Sequence, residues 1–268
     1  ARVLARWPGP VEVQRTAHDA LWAHRRAEGD GPPVHAMGLA NSETGVMSDP
    51  PARRTGALLL DITQVVGRVP FSFAWSGADL AVMSAHKLGG PKGVGALIVR
   101  RGLDIDPLAL GGGQEMGRRS GTENIIGIAG FGAAVEAAMR ELAAGAWDRV
   151  AQVRKILEKS LEQAANGIIF VGKSERRLPN TSCVMAPGWK GETQVMAMDL
   201  AGFAVSAGSA CSSGKVRESR VLKEMGFDAR EAASAIRVSL GPGTTEAEVL
   251  RFAENWTAQW ERHRARAA

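Results

Sequence analysis

The chain of 268 residues is long enough for one large domain or two smaller ones, and its 45% hydrophobic and 23% charged residues are typical of a globular protein. Its formal net charge of +5 is modest, and no nucleic-acid-binding motif accompanies it, so we predict no nucleic-acid partner. The sequence lacks a run of about 18 apolar residues, so we also predict no membrane-spanning helix.

The cysteine content and the first residues of the sequence indicate the cellular compartment of the protein. The chain has 2 cysteines, which are far apart and do not form a disulfide framework. Residues 1–6 lack the apolar core of a signal peptide. We therefore expect a cytoplasmic protein.

The first half of the sequence predicts an α/β fold with a mostly parallel sheet. We expect a helix over 11–27, apolar strands over 34–39, 57–60 and 80–83, and a returning strand over 94–99. In such sheets, ligands bind at the carboxyl ends of the strands. Here these ends carry six polar side chains, those of Asn41, Asp61, Gln64, Ser84, His86 and Lys87.

Lys87 stands out among these residues because it follows a buried strand and precedes a Gly-Gly-Pro turn at 89–91. A poorly hydrated lysine in this position suits Schiff-base chemistry with a carbonyl cofactor. A solvated loop lysine is the alternative that its position alone leaves open.

A polar segment over 118–124 leads into a predicted core helix over 125–142. Its predicted core residues are Ile126, Ile128, Phe131, Ala134 and Met139. Backbone N–H groups at a helix start, with arginine and threonine beside them, suit a phosphate group. A plain capped helix is an equal alternative.

The character of the sequence changes near residue 143, and we place a domain boundary there. The following half predicts an α+β unit of short strands and helices. A capping box over 245–248 begins the last helix, whose apolar stripe we assign to packing. That stripe consists of Val249, Phe252, Trp256 and Trp260.

The two cysteines have different surroundings. Cys211 lies in SAGSACSSG, where small residues predict an exposed loop, and an exposed cysteine in such a loop indicates a reactive thiol. An incidental small-residue turn is the alternative. Cys183 lies in an apolar strand, where we expect a buried small hydrophobic side chain.

Arg237 lies within the apolar strand over 235–240 and needs an anionic partner. A carboxylate bound by both arms of the guanidinium is the natural choice. The sequence leaves open whether the protein or a substrate supplies it.

Seven motifs over 34–241 together resemble one family, the group I (NifS/IscS-like) cysteine desulfurases of the class V aminotransferase group. The motifs are NSETGV, DITQVVGRVP, SAHKLGGPKGVGAL, GGGQE with RRSGTEN, LPNTS, SAGSACSSG and IRVSLG. The resemblance implies a PLP-dependent transferase (aspartate aminotransferase-like) fold. Residues 1–143 would form an N-terminally incomplete large domain that binds pyridoxal 5'-phosphate (PLP). Residues 144–268 would form a smaller α+β domain that carries the cysteine loop.

The resemblance also implies an activity and partners. The enzyme would convert L-cysteine to L-alanine, leave a persulfide on Cys211, and pass its sulfur to an iron–sulfur scaffold or another acceptor. The catalytic residues would be Lys87, which binds PLP and moves the substrate Cα proton, and Cys211, which attacks the substrate sulfur. Arg237 would bind the substrate carboxylate. A homodimer is implied, and no metal site is.

The remaining roles implied by the resemblance concern the cofactor. Asp61 would pair with the pyridine nitrogen, and Gln64 would bind the phenolic oxygen. Ser84 and His86 would contact the phosphate, as would Thr122 from the other subunit. The family motif NNETG becomes Asn41-Ser42-Glu43 here, so we assign Asn41 and Ser42 to cofactor binding and Asn41 also to substrate binding.

Two departures from the family keep other functions open. A family segment with a Gly/Thr phosphate loop and a ring-stacking histidine is not visible before Ala1, and the stretch between Gly45 and Asp61 is short. The alternatives are another class V enzyme, such as a selenocysteine lyase or an aminotransferase, and a truncated non-catalytic homologue. The Cys211 loop argues against an aminotransferase, which needs no nucleophilic cysteine.

Overall fold

The computed structural model describes residues 1–52, 54–208 and 218–267. The chain divides into two compact units. Unit 1 contains Ala1–Asn41 and Ser48–Ala144, and unit 2 contains Ser42–Met47 and Gly145–Ala268. A short segment from the first half of the chain therefore belongs to the second unit.

Unit 1 is built on a five-stranded sheet with the strand order β1-β2-β3-β4-β5. The first four strands are parallel, and β5 runs antiparallel to β4, as the predicted returning strand requires. The strands are β1 (Val11–Val13), β2 (Val34–Gly38), β3 (Ala57–Asp61), β4 (Leu80–Ser84) and β5 (Gly95–Val99). The predicted mostly parallel α/β sheet is confirmed.

The predicted helix over 11–27 is wrong. Its first residues form β1, in which Val11 lies opposite Val34, and only α1 (Asp19–Trp22) is α-helical. Pairing with β2 buries Val11 in the core of unit 1, and the Gln14 side chain accepts a bond from the Gly38 N–H at 3.1 Å. Tertiary contact thus overrides local preference.

Two 3₁₀ helices (Arg2–Arg6 and Ala85–Leu88) and α2 (Ile125–Ala143) complete the regular structure of unit 1. The predicted extent of α2 is confirmed, and so is the burial of Phe131, but the prediction that Ile126, Ile128 and Met139 lie in the core is wrong. Ile126 is 84% exposed, and Ile128 is also exposed. The helix instead packs through small residues that allow close backbone approach, namely Gly127, Gly130, Ala134 and Ala138.

Unit 2 contains a four-stranded sheet with the order β6-β7-β9-β8, in which all neighbouring strands are antiparallel. The strands are β6 (Ile169–Phe170), β7 (Thr181–Met185), β8 (Ser206–Ala207) and β9 (Ala235–Ser239). The helices are α3 (Ala146–Ala164), α4 (Gly191–Leu200), α5 (Arg220–Glu224), α6 (Ala229–Ala233) and α7 (Glu246–Ala267). The predicted α+β character of this half is confirmed.

The core of unit 2 lies between the sheet and helices α3 and α7. The stripe of α7 predicted from the sequence is buried, with Trp256 fully enclosed. The predicted capping box also forms, because the Thr245 hydroxyl accepts a bond from the Glu248 N–H while the Glu248 carboxylate accepts one from the Thr245 N–H. Through the described ranges, no helix is long and apolar enough to cross a membrane.

Candidate active site

Three parallel strands bring predicted site residues to one edge of the unit 1 sheet. Asp61, the last residue of β3, lies opposite Gly38 at the end of β2 and opposite Val82 in β4. Ser84 ends β4, and the 3₁₀ helix with His86 and Lys87 follows directly. The carboxyl ends of β3 and β4 are therefore neighbours, as a parallel sheet requires.

Lys87 lies on a short helix whose end is set by glycine. Gly89 has a left-handed backbone (φ 84°) and donates its N–H to the Ala85 carbonyl, which stops the helix two residues after Lys87. The lysine is partly exposed, so its amine is accessible to a ligand.

Helix α2 holds this turn from the outside. A methyl group added to Gly90 would lie 3.1 Å from the Ala134 Cβ, and one added to Gly130 would lie 2.6 Å from the Pro91 Cγ. These contacts leave no room for larger side chains, so the turn after Lys87 is held against α2 by close packing. The 3-4-4 spacing of the small residues in α2 is the sequence signal that could have revealed this face.

Hydrogen bonds orient three of the predicted cofactor-binding residues. The Ser84 hydroxyl and the His86 Nδ1 are hydrogen-bonded at 2.7 Å. The Asp61 Oδ1 accepts a bond from the Thr63 N–H at 2.9 Å, which orients the carboxylate at the strand end.

Arg68 was not predicted as a site residue, yet its side chain reaches the Lys87 turn. One guanidinium nitrogen donates to the Gln64 carbonyl at 3.0 Å and the other to the Lys87 carbonyl at 2.6 Å. Burial lowers the pKa of Arg68 from its usual value, but an arginine remains charged at neutral pH. Its place in QVVGRVP gave no periodic signal that distinguishes it from a surface residue.

Two other predicted residues of unit 1 lie in loops. Asn41 follows β2 and donates from its Nδ2 to the Thr16 carbonyl at 2.8 Å. Thr122 is exposed just before α2, beside Gly121, whose carbonyl accepts a bond from Arg119 at 2.8 Å. The helix start itself is capped by Asn124, which accepts from the Gly127 N–H at 3.0 Å, as the capped-helix alternative expects.

Arg237 lies in the middle of β9 in unit 2. Its guanidinium donates to the Ser42 carbonyl at 2.9 Å and to the Ser206 hydroxyl at 3.3 Å. Its Nε is buried without a hydrogen-bond partner, and within the described ranges no carboxylate forms an ion pair with it. The protein thus supplies only neutral acceptors at this arginine within the described ranges.

Cys183 lies in β7, opposite Arg237, and is 2% exposed. Burial raises the pKa of its thiol to about 12, so the group is a neutral side chain at physiological pH. The prediction of a buried small hydrophobic residue is confirmed. Cys211 lies outside the described residues.

A buried ion cluster in unit 2 was also missed by the sequence analysis. The Glu158 carboxylate accepts bonds from both arms of Arg177 at 2.8 and 2.9 Å, from Arg154 at 3.1 Å and from the Ser182 hydroxyl at 2.8 Å. Burial alone would raise the pKa of Glu158, but these donors outweigh it and hold the pKa below its usual value. These four hydrogen bonds satisfy the buried carboxylate, so we assign the cluster to structure.

The groups at the edge of the unit 1 sheet fit PLP by their chemistry. Lys87 offers an accessible amine for an aldehyde, and Asp61 offers a carboxylate for a protonated ring nitrogen. The Ser84 and His86 pair offers donors for a phosphate. In the part of the chain that the structure describes, no group of three or more His, Cys, Asp or Glu side chains could hold a metal ion.

The fold and this edge together define the class of protein. The mostly parallel α/β sheet is the fold of NifS-like, PLP-dependent enzymes. A profile of the family Aminotransferase class-V matches residues 34–252. The chain belongs to this family, whose members depend on PLP.

Curated relatives are about 40% identical to this chain in sequence. A cysteine desulfurase of Gluconacetobacter diazotrophicus is 40% identical over 235 residues, which are 85% of this chain and 58% of the relative. A cysteine desulfurase of Cereibacter sphaeroides is 42% identical over 221 residues, or 80% of this chain and 56% of the relative. The chain thus spans little more than half the length of these relatives.

Solved structures show the same fold. The NifS-like protein of Rickettsia africae has a TM-score of 0.84 at 25% identity, and the match covers 97% of this chain and 79% of that protein. A second NifS-like protein has a TM-score of 0.82 at 28% identity, covering 97% of this chain and 78% of that protein.

Proposed function

We propose that the protein is a cysteine desulfurase that uses PLP to convert L-cysteine to L-alanine. The observation that carries the proposal is Lys87 beside the carboxyl end of the strand that carries Asp61. It lies in a chain that is about 40% identical to curated cysteine desulfurases.

Lys87 would hold the cofactor through its amine and later carry the proton at the substrate Cα. Bound PLP supplies an electron sink that stabilises negative charge at this carbon. Asp61 would hold a proton on the ring nitrogen through its carboxylate, and Gln64 would bind the phenolic oxygen. These roles are supported by the neighbouring strand ends and by the bond that orients Asp61.

The phosphate would be held by Ser84 and His86, whose hydrogen bond keeps both groups at the end of β4. Thr122, which is exposed, would add a contact from a second subunit, so we propose a homodimer. Asn41 would lie beside cofactor and substrate, and Ser42 would contribute to cofactor binding. Support for these two is their place after β2 in a motif of the family.

Arg237 would bind the substrate carboxylate, since its buried Nε has no protein acceptor and its other contacts are neutral. Cys211, as thiolate, would attack the substrate sulfur. A sulfur–sulfur bond forms as the Cβ–S bond breaks, and the electron pair of the broken bond remains with the carbon fragment. Cysteine and the Cys211 thiol become alanine and a Cys211 persulfide, so that atoms and electrons balance.

The persulfide would pass its sulfur to an acceptor protein, such as an iron–sulfur cluster scaffold. A thiolate nucleophile is preserved in a reducing compartment, and Cys183 is present as a free thiol. We therefore propose a cytoplasmic location.

The proposal is tested by the visible absorption spectrum of the protein with added PLP, before and after L-cysteine. Lys87→Ala should remove the band of the bound cofactor. Lys92→Ala is the matched control, because Lys92 is exposed in the same loop. A band that needs Lys87 and shifts with cysteine is the expected result.

Cys211→Ser then separates desulfuration from other chemistry of the family. It should abolish sulfide release in the presence of a reductant and leave the Lys87-dependent band in place. A wild-type protein without any such band would overturn the proposed function. Unchanged sulfide release from Cys211→Ser would overturn the role of that residue.

A further inference from the structure

Arg68 connects two backbone segments at the edge of the unit 1 sheet. It donates to the carbonyl of Gln64, in the turn that follows β3, and to the carbonyl of Lys87, in the helix that follows β4. The two carbonyls are 23 residues apart in sequence and lie within reach of one planar guanidinium. Hydrogen bonds from a charged donor are roughly twice as strong as neutral ones.

The Lys87 carbonyl depends on an outside donor because its own helix ends there. The N–H groups of Gly89 and Gly90 both bond to the Ala85 carbonyl, and Pro91 has no N–H to offer. Carbonyls in the last turn of a helix lack intrahelical partners and need side chains, water or ligands. Arg68 supplies that donor at 2.6 Å.

The residue next to Arg68 is held by packing on the same side. Gly67 has a left-handed backbone (φ 75°), and a methyl group added to it would lie 2.6 Å from the Ala138 Cβ and 3.3 Å from Leu88. The turn that carries Arg68 is therefore wedged between α2 and the helix that carries Lys87. This leaves the guanidinium little freedom to follow a shifted carbonyl.

We infer that Arg68 is a positioning residue for Lys87, which fixes the lysine backbone so that its amine meets the ligand in one orientation. The inference rests on the proposed function, because it assigns the geometry of the lysine that binds the cofactor. Arg68 itself would touch neither cofactor nor substrate.

The test compares Arg68→Lys and Arg68→Met with Arg100→Lys in the full protein. Arg100 is a matched control, because it also donates to a backbone carbonyl in unit 1, that of Ala78 at 2.8 Å, near the opposite end of β4. The readouts are the rate at which the visible band appears when PLP is added to cofactor-free protein, the position of the band, and kcat and KM for L-cysteine. Thermal unfolding reports the general cost of each substitution.

Arg68→Lys should slow appearance of the band and lower kcat by roughly 10- to 100-fold, the scale expected for a displacement of about 1 Å. KM should change little, because substrate binding does not involve this residue. Arg100→Lys should lower the unfolding temperature by a similar amount and leave the band and kcat unchanged. Arg68→Met should slow the appearance of the band and lower kcat more than Arg68→Lys does. If the methionine variant does not fold, the Arg68→Lys result alone tests the inference.

Equal behaviour of Arg68→Lys and Arg100→Lys in all three readouts would make Arg68 a structural residue and overturn the inference. A wild-type protein without a Lys87-dependent band would overturn the proposed function, and the inference with it. A wild-type band together with indistinguishable variants would overturn the inference alone.

Discussion

The two sheets of this protein position their polar groups in opposite ways. In unit 1, Asp61 ends its strand and Lys87 lies beyond one, where turns, glycine and close helix packing set their positions. In unit 2, Arg237 and Ser182 lie within strands, where the antiparallel ladder sets the backbone. Ser182 donates to the charged Glu158, and Arg237 donates to neutral oxygen atoms. The comparison teaches that unit 1 is vulnerable to changes in turn geometry and unit 2 to changes in buried charge.

The largest expected effect comes from the buried carboxylate of unit 2. Glu158→Ala should lower the free energy of unfolding by about 3–5 kcal/mol, because Arg154 and Arg177 remain buried without their anion. Urea unfolding measures the change. Glu162→Ala, one turn later in α3, is the control, since its exposed pair with Lys173 should contribute less than about 1 kcal/mol. Equal losses would show that the cluster stabilises no more than a surface pair.

The next effect tests the turn geometry of unit 1. Gly67→Ala and Gly93→Ala both place alanine in a left-handed backbone, at φ 75° and 78°, but only the first brings its methyl group into contact. Each should cost about 1–2 kcal/mol for the backbone, and Gly67→Ala about 1–3 kcal/mol more for overpacking. Chemical denaturation measures both. A Gly67→Ala loss no larger than that of Gly93→Ala would contradict the close packing of α2 against this turn.

A third prediction separates function from stability in unit 2. Arg237→Gln should lower kcat/KM for L-cysteine by roughly 10- to 150-fold, the loss expected for about 1.5–3 kcal/mol of charged hydrogen bonding. Its unfolding free energy should change less, because the residue forms no ion pair within the described ranges. Arg149→Gln, an exposed arginine that donates to the Thr244 carbonyl, should leave kcat/KM unchanged. An Arg237→Gln variant with unchanged kcat/KM would contradict the proposed role of Arg237 in substrate binding.

The smallest expected effect is a pH dependence of stability that arises from the buried carboxylate of unit 2. The pKa of Glu158 is lower in the folded state than in the unfolded state, where it is about 4.3. The ionised carboxylate therefore stabilises the fold above about pH 4.3, and this stabilisation is lost as the pH falls through the folded pKa. The urea midpoint of the wild type should therefore decline more steeply below pH 5 than that of Glu158→Ala. Parallel declines in the two proteins would contradict the depressed pKa.

Much of unit 1 could be predicted from residue patterns. The apolar strands ending in polar residues indicated the parallel sheet, and Asp61, Ser84 and Lys87 lie at or just beyond its carboxyl edge. The structure of residues 11–27 and the exposure of Ile126 and Ile128 in α2 could not be predicted, because both depend on which surface each segment meets. Val11–Val13 becomes a strand only beside β2, and α2 packs through glycine and alanine.

The candidate site and its surroundings likewise contain features that the sequence predicts and features that only the structure shows. The sequence alone determined the family motifs, the buried character of Cys183 and the capping box of α7, because each is encoded in residues close together along the chain. Only the tertiary structure decided that Arg68 donates to the Lys87 carbonyl, that Arg237 has neutral protein partners, and that Glu158 lies between two arginines. These contacts join distant segments, and the hydrogen-bonding needs of a buried group have no periodic signature in the sequence.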